Sequence, residues 1–365
     1  MASIPVMRPK LPSAERIVPY LKAIDASRLY SNFGPLVCSL EARLAEHYRL
    51  EQGTVVAVAN ATLGLALALA AQRPPPGTLC AMPAWTFVAS AHAAVNAGLI
   101  PYFIDVDPES WSLDPAAVLE QLARAPAPVG AVMPVAPFGR PVDTEAWDAF
   151  RAATGLAVVI DAAAGFTSLK PGNTPAVVSL HATKVLGIGE GGFVICTDPE
   201  IVRSVRTRSN FGLYASRQAT VAATNAKMSE YHAAVAHAAL DEWADGRAEW
   251  MAVADGYRAE LARSNQVRLQ DGFGKTWVSS TCVLRVPDVA PIRIEKALAA
   301  AGIDSRRWWG MGAHVHPATA QFPRAALPIT DMLANSTFAV PFYRDMGTGE
   351  IGRTAEVVLA AVASN

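Results

Sequence analysis

The sequence predicts an α/β protein: a large domain on a mostly parallel sheet covered on both faces, followed by a smaller α+β domain. Three observations predict it. Short β-branched apolar runs alternate with helix-forming runs between residues 54 and 161, the rhythm of βαβ units. A stretch of helical apolar spacing then spans residues 227–263 with few breakers, long enough to bridge two domains. Beyond it the pattern changes to isolated strand and helix runs. A chain of 365 residues, 52% hydrophobic and 17% charged, can bury a large core and a second, smaller one.

In order, "TVVAVA" (54–59) reads as a strand, "TLGLALALAAQ" as a helix, and "RPPPG" as the break after it. "TLCAM" (78–82) is the next strand, "FVASAHAAVNAG" the next helix, and "IPYFIDV" (100–106) a further strand. Residues 131–136 and 156–161 continue as strands on either side of a helix over 144–153. Runs at 176–180 and 192–197 complete the set of strands. The long helical region carries only Gly246 and Gly256 as breakers. After it come a strand in "TWVSSTCVLRV", a helix in "IRIEKALAAAG", a Gly/His/Trp-rich loop and a final helix over 350–362. The division predicted is 1–245 for the large domain, with the N-terminal segment, and 246–365 for the small one.

Composition narrows the function classes. The net charge is −1, and no basic stripe with interleaved aromatics supports a nucleic-acid partner. Cys38, Cys80, Cys196 and Cys282 are far apart, without CxxC or Cys/His ligand spacing, and read as reduced thiols of a cytoplasmic protein. "MASIPVMRPK" lacks the apolar core of a signal peptide. The longest apolar run, around 63–71, is too short to span a bilayer. No membrane partner is expected, and the expected location is the cytoplasm.

Ligands of open α/β sheets sit beyond the carboxyl ends of the strands, and several candidate residues fall there. Asn60, Ala61 and Thr62 open a helix after the first strand, where free amides and a hydroxyl suit a phosphate; a plain N-cap by Asn60 is the commoner alternative. Asp161 ends "LAVVID", where a carboxylate can balance a cationic ring nitrogen or cap a turn. Only seven lysines occur against 24 arginines, and one of them, Lys184, lies among apolar residues and glycines in "SLHATKVLGIGEGG". An amine in an apolar site loses proton affinity and becomes a usable nucleophile, although a lysine there can also snorkel to solvent. Ser179 and His181 precede it. "GIGEGG" spells G-x-G-x-x-G but leads into the strand run "FVICT" rather than a helix, so a dinucleotide fingerprint is set aside. His314 and His316, two apart, have no further ligand near in sequence, and no metal site is assigned. Phosphate, ring nitrogen and aldehyde together describe pyridoxal 5′-phosphate (PLP). Phe87 and Trp85 in "PAWTFVAS" are the candidates to stack on its ring, and either can be core instead.

At this point the sequence resembles the PLP-dependent nucleotide-sugar aminotransferases of the DegT/DnrJ/StrS type, of fold type I. The likeness covers almost the whole chain and is carried by "NFGPLVCSLEARLAEHY", "ANATLGLALAL", "MPAWTFVASAHAAVNAGLIPYFIDVDPESWSLDP", "PVAPFGRPVD", "VVIDAAAGF", "SLHATKVLGIGEGG" and "TNAKMSEYHAAV", in this order. The resemblance implies that Lys184 forms a Schiff base with the cofactor and shuttles protons, and that Asp161 pairs with the ring nitrogen. It implies that Ala61, Thr62 and Ser179 hold the phosphate and that Phe87, with Trp85 second, stacks on the ring. Asn225 matches an asparagine that reaches the phosphate of the neighbouring subunit, which implies a homodimer with shared sites. Where the family usually has Gln or His three residues after the aspartate, this chain has Ala164. Dehydratases of the same fold replace the lysine with histidine; Lys184 is kept here, which favours transamination. In "SRRWWGMGAHVHP", Trp308, Trp309, His314 and His316 resemble a substrate-facing loop, and Arg306 or Arg307 suits a nucleotide diphosphate; a tryptophan-anchored loop with solvent-facing histidines is the alternative. The expected reaction moves an amino group from glutamate to a keto carbon of a nucleotide-linked sugar, for polysaccharide or natural-product glycans. A 4-keto-6-deoxy sugar is expected from this loop and "VPFYRDM". The alternatives are another fold-type-I PLP enzyme such as a lyase, a non-catalytic PLP-binding regulator, and a nucleotide-binding protein without PLP.

Overall fold

The computed structural model describes residues 3–363. Its main sheet comprises β1 (Val55–Val58), β2 (Leu79–Pro83), β3 (Ile100–Ile104), β4 (Val129–Val132), β5 (Ala157–Val158), β6 (Ile160–Asp161), β7 (Ala176–Ser179) and β8 (Gly192–Ile195). Two four-stranded ladders, β3-β2-β4-β5 and β1-β8-β7-β6, join where β5 and β6 follow one another. Val159 N–H bonds Val132 O at 3.1 Å, and Asp161 N–H bonds Pro134 O at 2.8 Å. The order along the sheet is therefore β3-β2-β4-β5/β6-β7-β8-β1. Every pairing is parallel except the two made by β8, so the sheet is mostly parallel. Strands β1, β2, β7 and β8 are buried throughout, as expected when helices cover both faces.

The covering helices follow the sequence pattern, with additions. They are α1 (Ala14–Ser27), α2 (Pro35–His47), α3 (Ala61–Ala71), α4 (Ala89–Asn96), α5 (Pro115–Leu122), α6 (Thr144–Thr154) and α7 (Pro199–Ser209). Helix α3 is apolar all round and correspondingly buried. At Gly64 a Cβ would stand 3.0 Å from Val177 and 3.2 Å from Val58, so the missing side chain lets α3 lie directly on the sheet. The 131–136 run is a strand only as far as Val132, because Pro134 and Pro137 have no N–H to continue the ladder.

The 227–263 helical region is two helices, α8 (Glu230–Asp241) and α9 (Trp243–Leu261), meeting at Glu242. The Glu230 carboxylate accepts from the N–H groups of Leu36 (2.8 Å) and Val37 (2.9 Å), capping α2 with a residue 194 positions away. The later residues build β9 (Arg268–Leu269), β10 (Cys282–Arg285) and β11 (Thr337–Val340), an antiparallel sheet of order β11-β10-β9. Helices α10 (Pro291–Ala300), α11 (Pro328–Ala334) and α12 (Thr348–Ala363) accompany it. The first described residues attach to this C-terminal unit rather than to the main sheet. Ile4 bridges Ile303 and is buried, and Phe342 N–H bonds Val6 O at 3.1 Å. The sequence division grouped that segment with residues up to 245; its apolar side chain finds cover on the other unit.

Among the described residues no helix is long and apolar enough to cross a membrane.

Candidate active site

The carboxyl ends of the parallel strands converge on one side of the sheet. Strand β6 ends in Asp161, which is 6% exposed. Its Oδ2 accepts from Ser90 Oγ at 2.7 Å, and its Oδ1 accepts from Ala163 N–H at 3.1 Å. Ser90 Oγ in turn lies 2.9 Å from Thr86 Oγ1. Burial pushes the Asp161 carboxyl pKa up, while the Ser90 and Ala163 bonds and the nearby Lys184 charge oppose that rise. The carboxylate is thus held by fixed donors in a dry setting, where a cationic partner is strongly favoured.

Lys184 stands at the end of a tight turn after β7. Its N–H bonds His181 O (2.8 Å), and Ala182 N–H bonds Gly189 O (2.7 Å). A Cβ on Gly187 would come 2.4 Å from Ala182 O, so only glycine lets the chain fold back here. Burial lowers the Lys184 amine below its ordinary pKa, against the pull of Asp161. A half-buried amine of reduced proton affinity is a nucleophile and a proton carrier. The glycine run continues into β8, a strand, so the letters of the dinucleotide fingerprint lack their helix here.

Asn60, Ala61 and Thr62 form the entrance to α3. Asn60 Oδ1 accepts from Leu63 N–H at 2.9 Å, so the plain N-cap is present. It leaves the Ala61 and Thr62 amides, the first two of the helix, without an intrahelical acceptor. A Cβ on Gly192 would stand 2.9 Å from both Ala61 N and Val178 O, so bare backbone forms the floor beside these amides. Ser179 is buried; its Oγ accepts from His181 N–H at 3.2 Å and keeps its own hydrogen to donate. Free amides, a hydroxyl, a buried carboxylate and an amine of lowered pKa fit the phosphate, ring nitrogen and aldehyde of PLP.

The two ring candidates differ in surroundings. Phe87 is 56% exposed, with a free face. Trp85 is buried, 5.5 Å from Trp309 and 6.3 Å from Phe138, and its Nε1 has no partner. Trp309 stacks on Phe138 at 3.8 Å, which carries the C-terminal loop onto the large sheet's site. Arg306 lies over Trp308 at 4.7 Å, whereas Arg307 makes two bonds to Glu295, of 3.0 and 2.9 Å. His314 is buried with an unpartnered Nδ1, and burial lowers its pKa; His316 is exposed. The two histidines therefore do not share one environment, and among the described residues no three His, Cys, Asp or Glu side chains gather as a metal site. The backbone of Ala164 packs tightly, since a Cβ on Gly139 would come 2.5 Å from its carbonyl oxygen. Asn225 is exposed beside the end of β1, where Ala59 N–H bonds Ala226 O at 2.8 Å.

Four residues of this region carry no role in the sequence reading: Thr86, Ser90, Phe138 and Lys227. Ser90 lies in the first turn of α4, whereas Thr86 precedes the helix and reaches Ser90 across its entrance. None of the four has a local sequence signal.

Residues 13–359 match the DegT/DnrJ/EryC1/StrS aminotransferase family. Over 236 residues the chain is 34% identical to the dTDP-4-amino-4,6-dideoxy-D-glucose transaminase of Shigella dysenteriae; the match spans 63% of this chain and 62% of that protein. It is 28% identical to the UDP-N-acetyl-3-dehydro-alpha-D-glucosamine 3-aminotransferase of Acidithiobacillus ferrooxidans, over 92% of this chain and 90% of the other. Its fold is similar to that of a PLP-dependent aminotransferase of Bacillus cereus (TM-score 0.90, 27% identity, 98% and 99% of the two chains). It is similar as well to DesI, solved in the presence of its TDP-sugar product (TM-score 0.87, 29% identity, 100% and 94%). The chain thus belongs to the DegT/DnrJ/EryC1/StrS aminotransferase family, an enzyme whose cofactor is pyridoxal 5′-phosphate.

Proposed function

We propose that the enzyme transfers an amino group from glutamate to the keto carbon of a nucleotide-linked 4-keto-6-deoxy sugar, as a cytoplasmic homodimer with shared sites. The observation that carries the reaction is the pair formed by Lys184, an amine of lowered pKa, and Asp161, a buried carboxylate fixed by two donors. The sugar class is supported by the likeness to the Shigella transaminase and to DesI. Shared sites are supported by the half-exposed rings of Tyr30, Phe211 and Tyr231, which a partner subunit would cover.

When bound, PLP supplies an electron sink for the negative charge left at the amino-bearing carbon. Lys184 would hold its aldehyde carbon through Nζ, and the same amine would hold and move the proton released from the donor's α-carbon. Asp161 would pair with the ring nitrogen and keep it protonated. Ala61, Thr62 and Ser179 would hold the phosphate, and Asn225 would reach the phosphate of the neighbouring subunit. Phe87 would cover one ring face. Arg306, which has no acidic partner among the described residues, faces the nucleotide diphosphate, with Trp308, Trp309, His314 and His316 on the same loop.

The test is the near-ultraviolet and visible spectrum of the purified protein, before and after glutamate, with Lys184→Ala alongside. The expected result is a band of lysine-bound cofactor that glutamate converts to the pyridoxamine form in the wild type only. TDP-4-keto-6-deoxyglucose should then restore the band. A band unmoved by glutamate refutes the donor, failure of the keto sugar to restore it refutes the acceptor, and no band after reconstitution refutes the role of Lys184.

A further inference from the structure

Lys227 lies just beyond the phosphate-binding region and takes no part in the chemistry above. It is 9% exposed, in an extended run whose Val58–Lys227 bridge sets it beside the end of β1. Its ammonium stands 4.3 Å from the centroid of Phe211 and 2.7 Å from Oδ1 of Asn225. Among the described residues it has no carboxylate partner. A buried cation held by one aromatic face and one amide oxygen is a costly arrangement, and burial lowers its pKa accordingly. The arrangement has a directional consequence. An ammonium has only donors, so the atom of Asn225 that faces it must be the carbonyl oxygen. The exposed carboxamide therefore turns its NH2 away from Lys227, and that nitrogen has no partner among the described residues.

We propose that Lys227 is a positioning residue: it fixes the carboxamide of Asn225 with both N–H donors presented outward, toward the cofactor phosphate of the neighbouring subunit. The inference rests on the reading of Asn225 as a phosphate residue. Without the lysine the amide is free to rotate, and either end can face the anion; with it, only the donor end can. Phe211 completes the device by holding the ammonium above its ring.

The experiment compares the dissociation constant of PLP from wild type, Asn225→Ala, Lys227→Met, Lys227→Arg and the Asn225→Ala/Lys227→Met pair, by titrating each apo protein and reading cofactor absorbance. Loss of one bond to a phosphate should weaken PLP binding about tenfold in Asn225→Ala. Lys227→Met should match it, the double variant should be no weaker than either single one, and Lys227→Arg should recover most of the affinity. Apo-protein melting separates a folding defect from a positioning one. If Lys227→Met does not fold, Phe211→Leu, shown by sedimentation to keep the oligomeric state of the wild type, takes its place and should weaken binding only when Asn225 is present. An unaffected Asn225→Ala overturns the phosphate reading itself. A weakened Asn225→Ala with Lys227→Met unchanged, or with additive losses, leaves that reading standing and overturns the positioning role.

Discussion

Replacing Ser90 by alanine tests the electrostatics of the site most directly. Ser90 is fully buried on α4, and its hydroxyl donates to Asp161 Oδ2 at 2.7 Å, the length of a strong bond to a charged acceptor. A hydrogen bond to a charged group contributes about 1.5–3 kcal/mol. The Ala163 amide still serves Oδ1 at 3.1 Å, and the Thr86 hydroxyl is within reach of the space left behind, so the lower end applies. About 1.5 kcal/mol corresponds to about a tenfold loss. The serine bond favours the ionised carboxylate, so its removal pushes the Asp161 pKa further up, in the direction burial already drives it. Two readouts follow: the PLP dissociation constant should rise about tenfold, and the acid limb of the kcat–pH profile should move to higher pH. Circular dichroism and a melting curve establish that the variant is folded. A folded Ser90→Ala protein with wild-type PLP affinity and an unmoved acid limb would refute the reasoning that Ser90 keeps Asp161 charged.

Lys184→Met should make the apo protein more stable at neutral pH. Lys184 has a folded pKa below the ordinary 10.5, so it penalises the fold fully below that folded value, and the penalty fades as pH rises toward 10.5; chemical denaturation of both proteins at several pH values should show the gain shrinking in that direction. Gly34→Ala should destabilise the fold by about 2–4 kcal/mol, measured by urea unfolding. The new Cβ would stand 2.6 Å from the Glu230 carboxyl carbon, and that carboxylate cannot swing aside without baring the Leu36 and Val37 amides. Arg306→Ala should raise the KM for the nucleotide sugar about tenfold and leave the melting temperature unchanged. Arg307→Ala should do the reverse, removing the Glu295 pair and about 1 kcal/mol of stability with little change in KM.

The sequence by itself determined what depends on neighbours along the chain. The alternation of β-branched and helical runs gives the main sheet, because period and propensity are local properties. The entrance of α3 was legible in Asn60, and Lys184 stood out because a lone lysine among glycines is anomalous on composition alone. What depends on distant approach was not legible. Helices α1 and α2 carry Pro19 inside one and Glu41 buried in the other, and part of their support comes from α8, whose Glu230 caps α2 from 194 residues away. Trp85 and Phe87 are two residues apart with the same apolar character; only the arrival of Trp309 and Phe138 buries one, while the other stays open. Arg306 and Arg307 are chemically identical, and the position of Glu295 decides which is neutralised. The bond from Ser90 to Asp161 joins residues 71 apart, and the contact of Lys227 with Phe211 depends on how an extended run returns past β1. Such contacts are fixed by packing and by the pairing of buried polar groups, which no local pattern encodes.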